Sequence, residues 1–272
     1  MLQLVDVAAK PLDRYEAIIG SEKLAELKEL GAPHRRKRVA HINATVYGGG
    51  VSELLRSLVP LYRALGIEAD WLVIPGSPEF FEVTKGIHNA LQGAPFDLTE
   101  QVKEVYLAQN RQIGGLLDRE YDFIVVHDPQ PAPLRVLHGR NIARWVWRCH
   151  IDTSHPNAEV LLFLKPYLGA YDALVFTMQE FVPADLSERP VAIVPPAIDP
   201  LSPKNMVAPM EMDAGTGAGS LAVHDHPHLH VLQHPHRLAP AGRAGRRRAL
   251  RALGEPAAEH AAVRRHDYCA RS

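Results

Sequence analysis

The 272-residue chain has only two cysteines, Cys149 and Cys269. That is too few for a disulfide framework or a four-cysteine zinc site. No apolar run approaches the roughly 18 residues needed to span a bilayer. The first residues, MLQLVDVAAKPLDRYEAI, lack a basic segment followed by an apolar one, so they do not read as a secretory signal. Charge of one sign is also missing: 30 Lys and Arg against 31 Asp and Glu leave a formal net charge of −1. No whole-molecule field is available to steer nucleic acid or an anionic membrane. These absences point away from a secreted mini-protein, a membrane protein and a fibre. With 46% hydrophobic and 22% charged residues, the expectation is a cytoplasmic globular protein.

A second set of absences divides the chain. Beyond Lys204 there is no Lys, Ile, Phe or Trp. Nine Arg against six acids give residues 205–272 a charge of +3 and leave −4 on the residues before them. The tail holds eight of the 15 histidines and runs through HDHPHLHVLQHPHR and AGRAGRRRALRALGEPAAEHAAVRRH. Its apolar positions are mostly Ala, whose burial contributes little against ordering costs of about 1–2 kcal/mol per residue. The expectation is a disordered or weakly helical tail. Its His224–His236 run carries no metal-site spacing, so no functional metal is expected. The Arg246–Arg248 cluster has no nucleic-acid-binding module beside it.

Residues 36–204 alternate strand and helix signals, after a helical extension and linker over 1–35. The extension has apolar residues at helical spacing over 12–30, interrupted at Gly20. A β-rich run at 39–44 leads into Gly48-Gly49-Gly50 and an amphipathic stretch over 51–65. Pro60 is expected to kink that helix and Gly66 to end it. Strands follow at 67–74, 121–128, 143–152, 171–178 and 190–199. Helices are expected at 78–92 with a break at Gly86, at 98–119 behind Asp97 or Thr99, at 133–139 and at 157–170. The pattern is that of a Rossmann-like, doubly wound α/β domain with a mostly parallel sheet covered on both sides. Ligands then gather at the carboxyl ends of the strands.

Three groups fall at such ends. Gly48, Gly49 and Gly50 open a helix, where free N–H groups suit a phosphate. The alternative is a tight turn with close helix–strand packing; neither a Walker loop nor a dinucleotide fingerprint is present. His127 and Asp128 end an apolar strand, as hydrogen-bonding groups for a sugar or as a rim residue and a helix cap. Strand alternation puts Arg148, His150 and Asp152 on one side, and that charge density favours a polyol or anion site. Cys149 and the tryptophans at 145 and 147 take the other side and read as packing.

The runs HINATVYGGGVSELLRSLVPL, EFFEVTKGIHNALQG, VVHDPQPAPL, WRCHIDTSHPN and IVPPAIDPLSPKN together resemble the N-terminal half of the glycosyl-transferring trehalose synthases. The resemblance covers residues 36–205. It implies the N-terminal domain of a GT-B fold in a retaining glycosyltransferase of family 4. Such enzymes transfer glucose from an NDP-glucose to glucose. The donor is then a substrate rather than a cofactor; the resemblance leaves any Mg2+ requirement open. It implies that Gly48, Gly49 and Gly50 face the donor phosphates and sugar, and that His127 and Asp128 lie at the reaction centre. Arg148, His150 and Asp152 would bind the acceptor. It also implies an apolar cleft face through which the chain could associate, as a homodimer among other arrangements. The Arg–Lys diphosphate pair and the donor-side Glu of the family find no match after Asn205. The enzymatic alternatives are a trehalose phosphorylase or another family 4 transferase. The non-enzymatic alternative is a sugar-binding domain, alone or beside a separately encoded second half.

The tail's composition resembles a GC-rich gene read in a shifted frame. Sequencing the gene across codons 200–280 is expected to show an inserted or deleted base near codons 205–215.

Overall fold

The computed structural model describes residues 2–138, 142–202 and 205. The expectations for 206–272 lie outside these residues. Seven strands form one sheet: β1 (Gln3–Leu4), β2 (Arg38–Asn43), β3 (Glu68–Val73), β4 (Phe123–His127), β5 (Arg144–Arg148), β6 (Ala173–Phe176) and β7 (Val191–Ile193). Their order is β1-β3-β2-β4-β5-β6-β7. All neighbours are parallel except β1, which pairs antiparallel with β3. The chain winds outward from β2 to β3 and then crosses back to β4 on the other side of β2. The crevice between the ends of β2 and β4 is therefore the topological switch point, where a doubly wound sheet binds its ligands.

Among the described residues six helices cover the sheet: α1 (Asp13–Gly31), α2 (Gly50–Ala64), α3 (Pro78–Leu91), α4 (Glu100–Gly114), α5 (Leu134–Leu137) and α6 (Ala158–Leu168). Strand alternation divides the burial. Ala40, Ile42, Leu72, Ile124, Val126, Trp145, Trp147 and Cys149 lie in one core with the apolar faces of α3, α4 and α6. The opposite face packs Trp71 and Val73 on Leu55 and Val59 of α2, and Val39 against Leu65, Leu12 and Leu27. The helix starts follow capping chemistry. Ser77 Oγ accepts from Phe80 N–H, Thr99 Oγ1 from Val102 N–H, and Asn157 Oδ1 from Glu159 and Val160 N–H.

Several expectations need correction. The extension is more than helix and linker, because its first residues add strand β1. Two residues are too short for periodicity to show. Pro60, expected to kink α2, lies inside a helix that runs on to Ala64. Gly66, with φ +84°, follows the last turn, as a C-terminal glycine does. The kink at Gly20 is present (φ 81°, ψ 160°) inside α1. Gly86 does not break α3. It makes room: a Cβ there would stand 2.1 Å from Phe96 Cε2. The strand expected over 143–152 stops at Arg148, so alternation does not govern residues 149–152.

Gly86→Ala gains helix propensity of up to about 1 kcal/mol but forces the Phe96 ring aside, at a cost of about 1–3 kcal/mol. A net loss of stability is expected in urea denaturation, and Phe96→Ala in the same chain should reverse the sign of the Gly86→Ala effect.

Candidate functional site

A cavity of about 1030 Å³ opens at the carboxyl ends of β2, β4 and β5. Its floor is built by parity. In β2 and β4 the even residues 40, 42, 124 and 126 serve the core beneath α3–α6, which leaves His41 and His127 on the α2 face. Arg148 ends β5 in register with His127.

The three ring side chains form a chain. His41 Nδ1 lies 3.0 Å from His127 Nε2, and His127 Nδ1 lies 2.8 Å from His150 Nε2. His41 and His127 are buried, and His150 and Arg148 line the cavity. Burial disfavours the imidazolium form and the Arg148 charge adds to it, which holds His41 down to about 4 and His150 to about 3. Burial, the neighbouring rings and Arg148 push His127 the same way. All three are neutral at physiological pH.

Asp128 follows with φ +61°, a left-handed conformation that Asp tolerates better than most residues. Its Oδ1 accepts from His150 N–H at 2.8 Å, its N–H donates to Arg148 O at 2.9 Å, and its carbonyl accepts from Trp147 Nε1–H at 2.9 Å. The carboxyl is pushed up to about 6 by burial, against the His150 N–H and the Arg148 charge. Asp128 therefore ties β4 to β5 and does not cap α5, whose N-terminal flank is Pro133. Arg148 donates to Val194 O at 3.1 Å.

Gly48, Gly49 and Gly50 line the cavity. Gly48 and Gly49 have φ of +73° and +82°, and nothing lies within 4 Å of where a Cβ would stand on any of the three. The glycines thus serve backbone conformation and an open approach, not close helix packing. Ser52 Oγ donates to the Gly48 and Gly49 carbonyls at 2.9 and 3.0 Å and holds the loop over the start of α2. Asp152 is not brought into this group. It lies beyond the end of β5, is exposed, and accepts from Ser154 N–H at 2.9 Å. Cys149 is buried on the core side, with its thiol pushed up to about 12 by desolvation.

Sequence reasoning missed His41, which is buried behind His127, and His88, Lys10 and Asp199, which line the cavity. A histidine inside the apolar run VAHINA was the signal for His41. Lys10 and Asp199 form an ion pair across the cavity mouth, and Tyr15 Oη donates to Asp199 at 3.1 Å. Among the described residues no group of His, Cys, Asp and Glu is arranged to hold a metal, and no helix is long and apolar enough to cross a membrane.

Residues 41–183 match the family described as "Trehalose synthase, N-terminal domain". The chain belongs to the trehalose synthase family. That match contains the whole histidine chain, the glycine loop, Asp128 and Arg148. A trehalose synthase of Rubrobacter xylanophilus is 49% identical over 211 residues, 76% of this chain and 51% of that protein. A trehalose phosphorylase of Pleurotus pulmonarius is 28% identical over 212 residues, 69% of this chain and 29% of that protein. The solved trehalose-6-phosphate synthase OtsA aligns over 60% of this chain and 50% of its own, with a TM-score of 0.46 and 17% identity. The chain spans about half the length of the trehalose synthases it matches. Membership shows a glycosyltransferase-type enzyme family, with the N-terminal domain present here.

The buried histidines make stability depend on pH. Their folded values lie below the unfolded 6.5, so the stability they contribute is present above 6.5 and lost as pH falls towards about 4. Asp128, raised to about 6, has the opposite sign over that window but is one group against three. The urea midpoint is expected to fall between pH 6.5 and 4, and His41→Phe to flatten that fall.

Proposed function

We propose that this chain is the acceptor-binding part of a retaining glycosyltransferase that joins glucose from an NDP-glucose to a second glucose, forming trehalose. One observation carries the reading. At the sheet's switch point, a glycine-headed helix N-terminus faces one cavity with Arg148, Asp128 and His150. Exposed backbone N–H groups and a positive helix end suit the donor phosphates. A cation, a carboxyl and neutral imidazoles suit the hydroxyls and ring oxygen of a sugar. Family membership supports trehalose as the product.

In this reading Arg148 and His150 hold the acceptor, while His127 and Asp128 stand at the reaction centre. Asp152 takes no part, since it is exposed away from the cavity. No protein nucleophile is needed: Cys149 is buried with a raised thiol, and Asp128 is already committed to His150 N–H. The departing diphosphate takes the acceptor proton, so donor and acceptor react on one face. Stabilising that diphosphate is usually a large term in catalysis. The family's Arg–Lys pair for it, and the Glu beside the donor sugar, have no counterpart in this sequence, so in this reading a donor domain supplies them. The exposed Ile198 beside the cavity supports such an association, with another domain or a second copy. The similarity to a fungal trehalose phosphorylase supports a second reading, in which phosphate replaces the nucleotide.

Calorimetry with glucose and trehalose tests the acceptor site. Glucose binding is expected, and Arg148→Ala should weaken it about tenfold or more, as losing a charge-assisted hydrogen bond of about 1.5–3 kcal/mol implies. The 272-residue chain alone is expected to form no trehalose from NDP-glucose and glucose. Product analysis with phosphate or nucleotide, in the presence of an added donor domain, separates the two readings. A chain that binds neither sugar would overturn both.

A further inference from the structure

The histidine chain has a direction, and its buried end sets it. Each of the two ring contacts holds one hydrogen, because all three rings are neutral. Only two arrangements satisfy both contacts. In the first, His41 Nδ1–H donates to His127 Nε2, and His127 Nδ1–H donates to His150 Nε2. His150 then carries its own hydrogen on Nδ1. In the second every hydrogen is reversed: His150 donates inward from Nε2, His127 donates to His41, and His41 carries a hydrogen on Nε2.

The two differ at their ends. His41 Nε2 is buried and has no hydrogen-bond partner among the described residues. The first arrangement leaves a bare ring nitrogen there; the second leaves an N–H with no acceptor. Orphaned buried N–H groups are the rarer case in folded proteins. At the outer end, His150 lines the cavity, and its Nδ1 has no partner among the described residues.

We infer that the relay runs outward: His41 acts as a positioning residue that, through His127, holds His150 in the Nδ1–H tautomer. His150 thereby presents a fixed N–H to the cavity and selects an oxygen that accepts a hydrogen bond. The sugar-site reading enters only in saying whose oxygen that is; the tautomer itself is a property of the free protein.

Histidine-selective 15N NMR of the full chain tests this without any sugar, because protonated and bare ring nitrogens of a neutral imidazole differ widely in chemical shift. His150→Gln assigns the His150 signals by their loss. The expected pattern has His150 protonated at Nδ1 and bare at Nε2, with the same pattern for His127. His41→Asp, recorded at mildly alkaline pH, places an acceptor against His127 Nε2 and is expected to invert the His150 pattern. His41→Phe only moves the bare end one ring outward and should leave it. A His150 protonated at Nε2 in the unmodified protein overturns the inference, whether or not His41→Asp folds. A folded His41→Asp chain with an unchanged His150 pattern also overturns it. Failure of glucose to bind would leave the tautomer result standing and count only against the sugar site.

Discussion

Water is kept from the two inner imidazoles of a three-ring file at the sheet's switch point, and the rest of the site is arranged around that exclusion. Two rings are buried between the sheet and α2, and the third borders the cavity. Uncompensated charge there would cost several kcal/mol, so the rings stay neutral and satisfy one another. The cation, Arg148, is kept at the rim, where it can be partly hydrated. Asp128 takes a left-handed conformation that lets its carboxylate reach His150 N–H while its backbone serves both Arg148 and Trp147.

The two faces of the sheet divide the work. Towards α3, α4 and α6, strand residues are apolar and two tryptophans fill the layer. Towards α2, the same strands carry His41, His127 and Arg148, with a smaller apolar cluster beside them. Polar groups can be accommodated on that second face because the first supplies most of the apolar burial. Glycines follow the same division. Gly86 yields volume to Phe96 in the packed layer, whereas Gly48 and Gly49 yield conformation and access at the cavity.

The alternation of strands and helices was legible because every element but β1 is long enough to show its period, and Thr99 marks a sharp helix start. His127, Asp128 and Arg148 were legible because polar residues ending apolar strands stand out, and the glycine loop because three glycines precede an amphipathic stretch; His150 lies past the end of β5 and lines the cavity all the same. Asp152 was misplaced because alternation was carried past the point where β5 ends. His41 was passed over because a single polar residue within an apolar run reads as strand interior, and only the register between β2 and β4 shows what it faces. Lys10 and Asp199 were invisible, since a contact between residues so far apart leaves no local pattern.

Lys10 and Asp199 are 189 positions apart, and Tyr15 and Asp199 are 184 apart. Loop-closure entropy disfavours such pairings until the intervening chain is organised. During synthesis the clasp can close only after nearly the whole domain has left the ribosome. The two segments that flank the cavity mouth, one from each end of the described chain, therefore come together last. The sheet and its histidine file can be complete while the entrance is still unfastened.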